Sequence, residues 1–146
     1  MCEKYGIGVT SYSPLARGVL SAKYHLGEKP PSDSRAGKGN KRLFETEWRE
    51  ESFRVADKIK EIAASHGSTA TQFALGWVLA NSLVTSAIIG PRNLEQLKDN
   101  LGALDLTITP EDEKLVNELV PPGEHTGKGF NNPDYPVRSR PIGKEK

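Results

Sequence analysis

A single cysteine, Cys2, stands in the 146 residues, so no internal disulfide can form, and the chain suits a reducing compartment, with the cytoplasm as its expected location. Long apolar runs are missing as well. The longest, Phe73 to Ala80, falls far short of the roughly 20 residues a membrane helix needs, and no apolar signal-peptide core follows Met1. The expectation is a soluble chain that is neither inserted in a membrane nor secreted. Neither sign of charge is in excess. With 20 Lys and Arg against 19 Asp and Glu, the chain lacks the concentrated positive charge of general nucleic-acid binders, so nucleic acid is not an expected partner. His25, His66 and His125 lie far apart with no second cysteine among them, which leaves no usual metal-ligand spacing and no expected metal site. Apolar residues make up 36% and mean hydropathy is −0.55, enough for one lean core.

What is present is a sequence of alternating periods. Tyr5 to Ser13 carries β-branched and aromatic residues and stops at Pro14, which predicts a buried strand that begins almost at Met1. Residues 26 to 42 collect Gly, Pro, Ser, Lys and Arg, the composition of a long loop. Phe53, Val55, Ala56, Ile59, Ile62 and Ala63 then recur at helical spacing from Glu50 to Ser65, with Gly67 as a stop. Thr69 and Gln72 form a capping-box pattern ahead of a second helix that is apolar nearly all round. Val84 to Ile89 reads as a strand. Asn93 caps a helix with a stripe of Leu94, Leu97, Leu101 and Leu104, and Thr109-Pro110-Glu111 opens a last helix to about Val120. The tail, residues 121 to 146, has no periodicity. Strands separated by helices imply an α/β fold with a parallel sheet, yet two strands cannot close a barrel or bury themselves, so the chain reads as part of something larger.

Two segments sit where a strand ends and a loop begins: Ser11-Tyr12-Ser13-Pro14-Leu15-Ala16-Arg17-Gly18, and Ile89-Gly90-Pro91-Arg92-Asn93 with the helix that follows. Arg92 lies at a helix N-terminus, where the dipole disfavours a cation unless an anion is near, and the free N–H groups there suit phosphate. Arg92, Gln96 and Asn100 fall on one polar stripe. Spacing leaves two readings of that stripe open, a ligand-lining face and a plain solvated one. The first segment is equally open between a cofactor-lining turn and simple barrel-end packing.

Together the two segments resemble the aldo-keto reductases, especially the branch with bacterial oxidoreductases and potassium-channel beta subunits. The likeness is carried by Tyr-Ser-Pro-Leu-Ala-Arg-Gly at 12 to 18, Ser21-Ala-Lys-Tyr24, and Ile-Ile-Gly at 88 to 90 followed by Gln96 and Asn100. It implies the C-terminal portion of a (β/α)₈ TIM barrel, about the last two strand-helix units plus an extra C-terminal helix, incomplete as a barrel. It implies NADP(H) as cofactor. Tyr12 would stack on the nicotinamide; Ser13, Leu15 and Gly18 would follow the pyrophosphate with Lys23 nearby; Arg35 would belong to a cofactor-covering loop over residues 25 to 48. Arg92 would face the adenosine 2′-phosphate, and Gln96, Asp99 and Asn100 the adenine end. Pro14, Ile89 and Gly90 complete the two segments as cofactor-binding positions. The family's catalytic Asp, Tyr, Lys and His belong to earlier strands that would precede Met1, and Tyr5, Tyr12, Tyr24 and Tyr135 are not placed to substitute. The expectation is therefore a truncated reductase of aldehydes and ketones whose isolated chain is inactive. The alternative is a non-catalytic nucleotide-binding regulatory subunit of the channel-beta type. A small carbonyl substrate is the partner of the full-length relative, and self-association or pairing with the missing N-terminal portion is expected here. Phe130, Tyr135 and Trp48 are candidates to line the substrate pocket or simply to pack.

Overall fold

The computed structural model describes residues 1–126. Phe130 and Tyr135, and the tail beyond 126, lie outside the described residues. The order is α1 (Cys2–Tyr5), β1 (Val9–Ser11), a 3₁₀ segment (Ala16–Ser21), α2 (Lys41–Thr46), α3 (Glu50–Ser65), α4 (Ala70–Leu79), β2 (Val84–Ala87), α5 (Leu94–Leu101), a second 3₁₀ turn (Gly102–Asp105) and α6 (Pro110–Leu119).

The core forms around α3 and α4. Along α3 the positions Phe53, Ala56, Ile59 and Ala63 are buried, the inward stripe its spacing predicts, and Glu50 and Glu51 complement the dipole in its first turn. The Thr69/Gln72 capping box closes the start of α4, which buries Ala70, Thr71, Phe73, Ala74, Leu75 and Gly76. Phe73 is wholly inaccessible, a burial that contributes about 1.5–3 kcal/mol. Asp112 in turn closes the α6 cap, accepting from the Thr109 backbone N–H at 2.8 Å and pairing with the His66 Nε2 at 2.8 Å.

β1 and β2 pair in parallel with Val9 opposite Val84, Thr10 opposite Ser86 and Ser11 opposite Ala87. The irregularity between Val9 and Thr10 has a chemical cause: the Val9 N–H donates to the Thr85 hydroxyl at 3.1 Å instead of to a carbonyl. The sheet is open, with two strands among the described residues.

Three expectations need correction. The strand foreseen from Tyr5 to Ser13 is confined to Val9–Ser11, because Cys2–Tyr5 makes a helical turn that Gly6 ends at φ 62°. The strand foreseen to Ile89 stops at Ala87. The loop foreseen over 25 to 48 contains α2, capped by the Asn40 side chain, which accepts from the Leu43 N–H at 2.9 Å, and anchored by the fully buried Leu43. Of the two readings open for Trp48, packing is the one its surroundings favour: its ring lies among Tyr24, Phe44 and Phe53 with centroids 4.9 to 5.2 Å away.

The helix α5 is oriented partly against its amphipathic pattern. Leu94, Leu101 and Leu104 are 63%, 50% and 70% exposed, whereas Asn100 is buried. Asn100 is turned inward, Gln96 and Leu97 are both half-buried, and Leu94 and Leu101 face out.

Candidate functional site

Both strands end on one cleft of about 270 Å³. Its walls are the turn after β1, the residues after β2, the inner face of α5 and part of the loop before α2. All thirteen positions singled out in the sequence line it: Tyr12, Ser13, Pro14, Leu15, Gly18, Lys23, Arg35, Ile89, Gly90, Arg92, Gln96, Asp99 and Asn100.

The turn after β1 is wound through unusual backbone. Ser13, Ala16, Arg17 and Ala22 have φ of 54°, 45°, 56° and 51°, and Gly18 has φ 97°. Outside glycine each such residue costs roughly 1–2 kcal/mol, and strain of this kind persists only where its surroundings dictate it. Here the Ala16 N–H donates to the Ser13 carbonyl at 2.9 Å, the Gly18 N–H to Leu15 at 2.8 Å, and the Ser21 hydroxyl to the Gly18 carbonyl at 2.8 Å. Val19, fully buried, pins the turn to the core. Glycine at 18 is favoured by its φ of 97°, and a Cβ there would stand 3.0 Å from the Lys23 Nζ, the movable end of a flexible side chain.

The cleft gathers cations. Burial, then the neighbouring Arg92 and Arg35 guanidinium groups, hold the Lys23 ammonium below its ordinary pKa, with Asp33 acting in the opposite sense. Its ammonium lies 5.3 Å from the centroid of the buried Tyr24 ring. At the other end Tyr12 is 71% exposed with the Arg17 guanidinium 6.0 Å over its ring. The Ser13 hydroxyl and then the Arg17 guanidinium lower the Tyr12 phenol, and Arg35 adds to this from further away.

The Arg92 guanidinium grips the loop before α2, donating from NH2 to the Asp33 carboxylate at 3.1 Å and from NH1 to the Asp33 carbonyl. The dipole conflict read from the sequence is thus met within the chain by a carboxylate. The Arg92 backbone N–H donates to the Gln96 side chain at 2.9 Å, and the Gln96 N–H to the Asn93 cap at 2.9 Å. Asp99 accepts from the Thr69 hydroxyl at 2.8 Å, tying α5 to the start of α4. Arg92, Gln96 and Asn100 all line the cleft.

Sequence reasoning missed Arg17, Ser21, Thr71, Ile88 and Pro91 as lining residues. Four lie within or beside the quoted motifs and were legible by proximity. Thr71 was not, because it comes from α4, brought across by packing against α5. Among the described residues no group of three or more His, Cys, Asp or Glu is arranged to hold a metal ion. Nor, among them, is any helix long and apolar enough to cross a membrane.

Known proteins match this chain along most of its length. The model of the aldo/keto reductase family matches residues 1–121. A probable voltage-gated potassium channel subunit beta of Oryza sativa is 36% identical over 118 residues, covering 80% of this chain and 36% of that protein. A probable aldo-keto reductase of Glycine max is 31% identical over 132 residues, with 90% and 37% covered. An oxidoreductase of Bacillus subtilis is 34% identical over 126 residues, with 86% and 36% covered. The solved glycerol dehydrogenase of Gluconobacter oxydans superposes with a TM-score of 0.66 at 26% identity, over 88% of this chain and 39% of that one. The chain thus spans little more than a third of the length of the relatives it matches, and its open sheet is an incomplete (β/α)₈ barrel. Matched over residues 1–121 and aligned with reductase and channel-beta relatives alike, the chain belongs to the aldo/keto reductase family, whose members use a nicotinamide cofactor.

Proposed function

We propose that the cleft is the NADP(H) site of a carbonyl oxidoreductase and that this chain is its C-terminal, cofactor-binding portion. One observation carries the reading: Lys23, Arg35 and Arg92 converge on a cleft whose opposite end presents an exposed aromatic ring, Tyr12. The donor set fits the group. A lysine depressed by burial and by two like charges is relieved by an added phosphate, and Gly18 leaves room for close backbone approach. When bound, the nicotinamide supplies the hydride exchanged with a carbonyl carbon.

In this reading Tyr12 holds the nicotinamide ring, and Ser13, Pro14, Leu15 and Gly18 border the diphosphate with Lys23. Arg92 and Arg35 take the 2′-phosphate side, and Gln96, Asp99 and Asn100 the adenine side. Ile89 and Gly90 form the floor. No proton donor is assigned within the cleft. Tyr12 is committed to the ring and Tyr24 is buried beneath Lys23. The chain alone therefore turns over no aldehyde with NADPH, since loss of general acid catalysis costs at least about 10²- to 10⁴-fold. The substrate class of the whole protein is aldehydes and ketones, and the cytoplasm its compartment.

Titration of the chain with NADP⁺ and NAD⁺ tests the assignment. NADP⁺ is expected to bind at least about tenfold more tightly, with the preference abolished in Arg92→Ala, because a charge-assisted guanidinium contact is lost. Equal affinities, unchanged by the substitution, count against it. A second reading is favoured by the names of the rice relative and of an Arabidopsis thaliana relative 39% identical over 103 residues, both probable channel beta subunits. It makes this chain a nucleotide-binding regulatory subunit. Purification from its source without a channel or enzyme partner removes that reading.

A further inference from the structure

Among the described residues the cleft is lined by one lysine, Lys23, and the cofactor reading uses only its charge. A lysine is also a nucleophile once its proton is off. Several features favour that state here. Burial, then the guanidinium groups of Arg92 and Arg35, hold the ammonium below its ordinary pKa, with the Asp33 carboxylate opposing them. Among the described residues no carboxylate forms an ion pair with Lys23, whereas Lys41 pairs with Glu45 at 3.7 Å and Lys58 with Glu61 at 2.6 Å. Its neighbours are instead the Tyr24 ring, with the centroid 5.3 Å from Nζ, and Gly18, whose missing Cβ would fall 3.0 Å from Nζ.

Lys23 is exposed, so a reagent can reach it, and Arg35 and Arg92 line the same cleft. Their planar forks match the oxygens of a phosphoryl group. We propose that Lys23 is an acylation site for acyl phosphates, with Arg35 and Arg92 seating the phosphoryl group and bringing the acyl carbon to the Lys23 amine. The Nζ lone pair attacks the acyl carbon, and the bond from that carbon to the phosphate oxygen breaks. Inorganic phosphate leaves with the electron pair, and the surplus proton on nitrogen passes to solvent. No oxidant or reductant takes part. The two guanidinium groups offset the negative charge of the reagent, which would otherwise return the proton to the amine before attack. The product is an uncharged amide. With one cation fewer, the cleft closes to ligands that carry phosphate. What this means for NADP(H) rests on the cofactor reading above; the acylation itself does not.

The test treats the full chain with acetyl phosphate at neutral pH and follows acetylation of each lysine by site-resolved mass spectrometry, with and without inorganic pyrophosphate. Lys23 is expected to react at least about tenfold faster than Lys29 and Lys38, exposed lysines of the loop before α2, because docking replaces a bimolecular encounter. Pyrophosphate is expected to slow Lys23 and to leave those two unchanged. A Lys23 that reacts no faster than they do, or at a rate indifferent to pyrophosphate, overturns the proposal. Calorimetry then reads the consequence. Treatment with acetyl phosphate is expected to lower the affinity of the wild-type chain for NADP⁺ by about tenfold or more, since a charged contact is lost. Lys23→Arg keeps a charge and offers no amine, so its affinity should stand where it was before treatment. An equal loss in that variant overturns closure of the cleft through Lys23. Rapid, pyrophosphate-sensitive acetylation of Lys23 in a chain that binds no NADP⁺ defeats the cofactor assignment and leaves the acylation site standing; NADP⁺ binding with a slow Lys23 does the reverse.

Discussion

Replacing Gly37 with alanine is expected to open the loop that borders the cleft. A Cβ at this position would lie 2.1 Å from the Pro31 carbonyl oxygen and 2.7 Å from the Ser32 Cα. Both are backbone atoms, so no rotamer change relieves the overlap, and the two chain segments must separate by more than an ångström. That separation strains the turn in which the Ser34 N–H donates to Pro31 at 2.9 Å and the Gly37 N–H to the Ser34 hydroxyl at 3.0 Å. Ser34 and Ala36 lose their burial with it. Overpacking costs about 1–3 kcal/mol, and two part-buried hydrogen bonds add roughly 1 kcal/mol each. A loss of about 3–5 kcal/mol is a large share of the 5–15 kcal/mol typical of a folded domain. Thermal unfolding followed by tryptophan emission suits the question, because Trp48 lies in the aromatic cluster that α2 closes. A fall in Tm of about 10 °C or more is expected. A variant that melts within two or three degrees of wild type refutes the claim that glycine is required at 37.

Gly18→Ala is expected to cost about 1–2 kcal/mol for the left-handed φ and to displace the Lys23 ammonium, so pyrophosphate affinity falls while the core stays intact; unaltered affinity in calorimetry argues against the cradle. Burial pushes the Asp112 carboxyl up, but the Thr109 backbone N–H, the His66 imidazole and the Thr109 hydroxyl outweigh it and leave the group below its ordinary value. Its folded pKa is thus lower than the unfolded value of about 3.9, so its contribution is full above that pH and is lost as pH falls through the folded pKa. Acid titration should show destabilisation below about pH 4 that Asp112→Asn flattens, and an unchanged acid limb in that variant would contradict the assignment. The exposed Leu94, Leu101 and Leu104, with the open sheet, are expected to drive self-association. Sedimentation at micromolar concentration should show it, and Leu101→Glu should weaken it with a stability change within about 0.5 kcal/mol; a sharply melting wild-type monomer defeats the expectation.

Much of this architecture was written in local chemistry. The α3 stripe, the Thr69/Gln72 capping box and the Asn93 and Thr109 caps depend on residues three or four apart, and all formed where the pattern placed them. The helix α2 was hidden because its anchor is one residue, Leu43, in a polar stretch, and burial of a single leucine leaves no period to detect. The orientation of α5 was hidden for the opposite reason. Its period was clear, but amphipathicity says which residues share a face and not which face meets the protein. In the cleft the motif residues came from contiguous segments and were legible, whereas Thr71 arrives from α4 and the Arg92–Asp33 contact spans fifty-nine positions. Pairings at that separation are decided by how the loop before α2 folds back.

The bond between Arg92 and Asp33 also governs how the cleft should respond to ionic strength. An anion approaching Arg92 meets a guanidinium already engaged by an exposed carboxylate, so binding is an exchange of one negative partner for another. Dissolved salt screens the incoming anion and the resident carboxylate alike. The slope of affinity against salt concentration should therefore be shallower than three converging cations would give by themselves, and removing the resident carboxylate should steepen it.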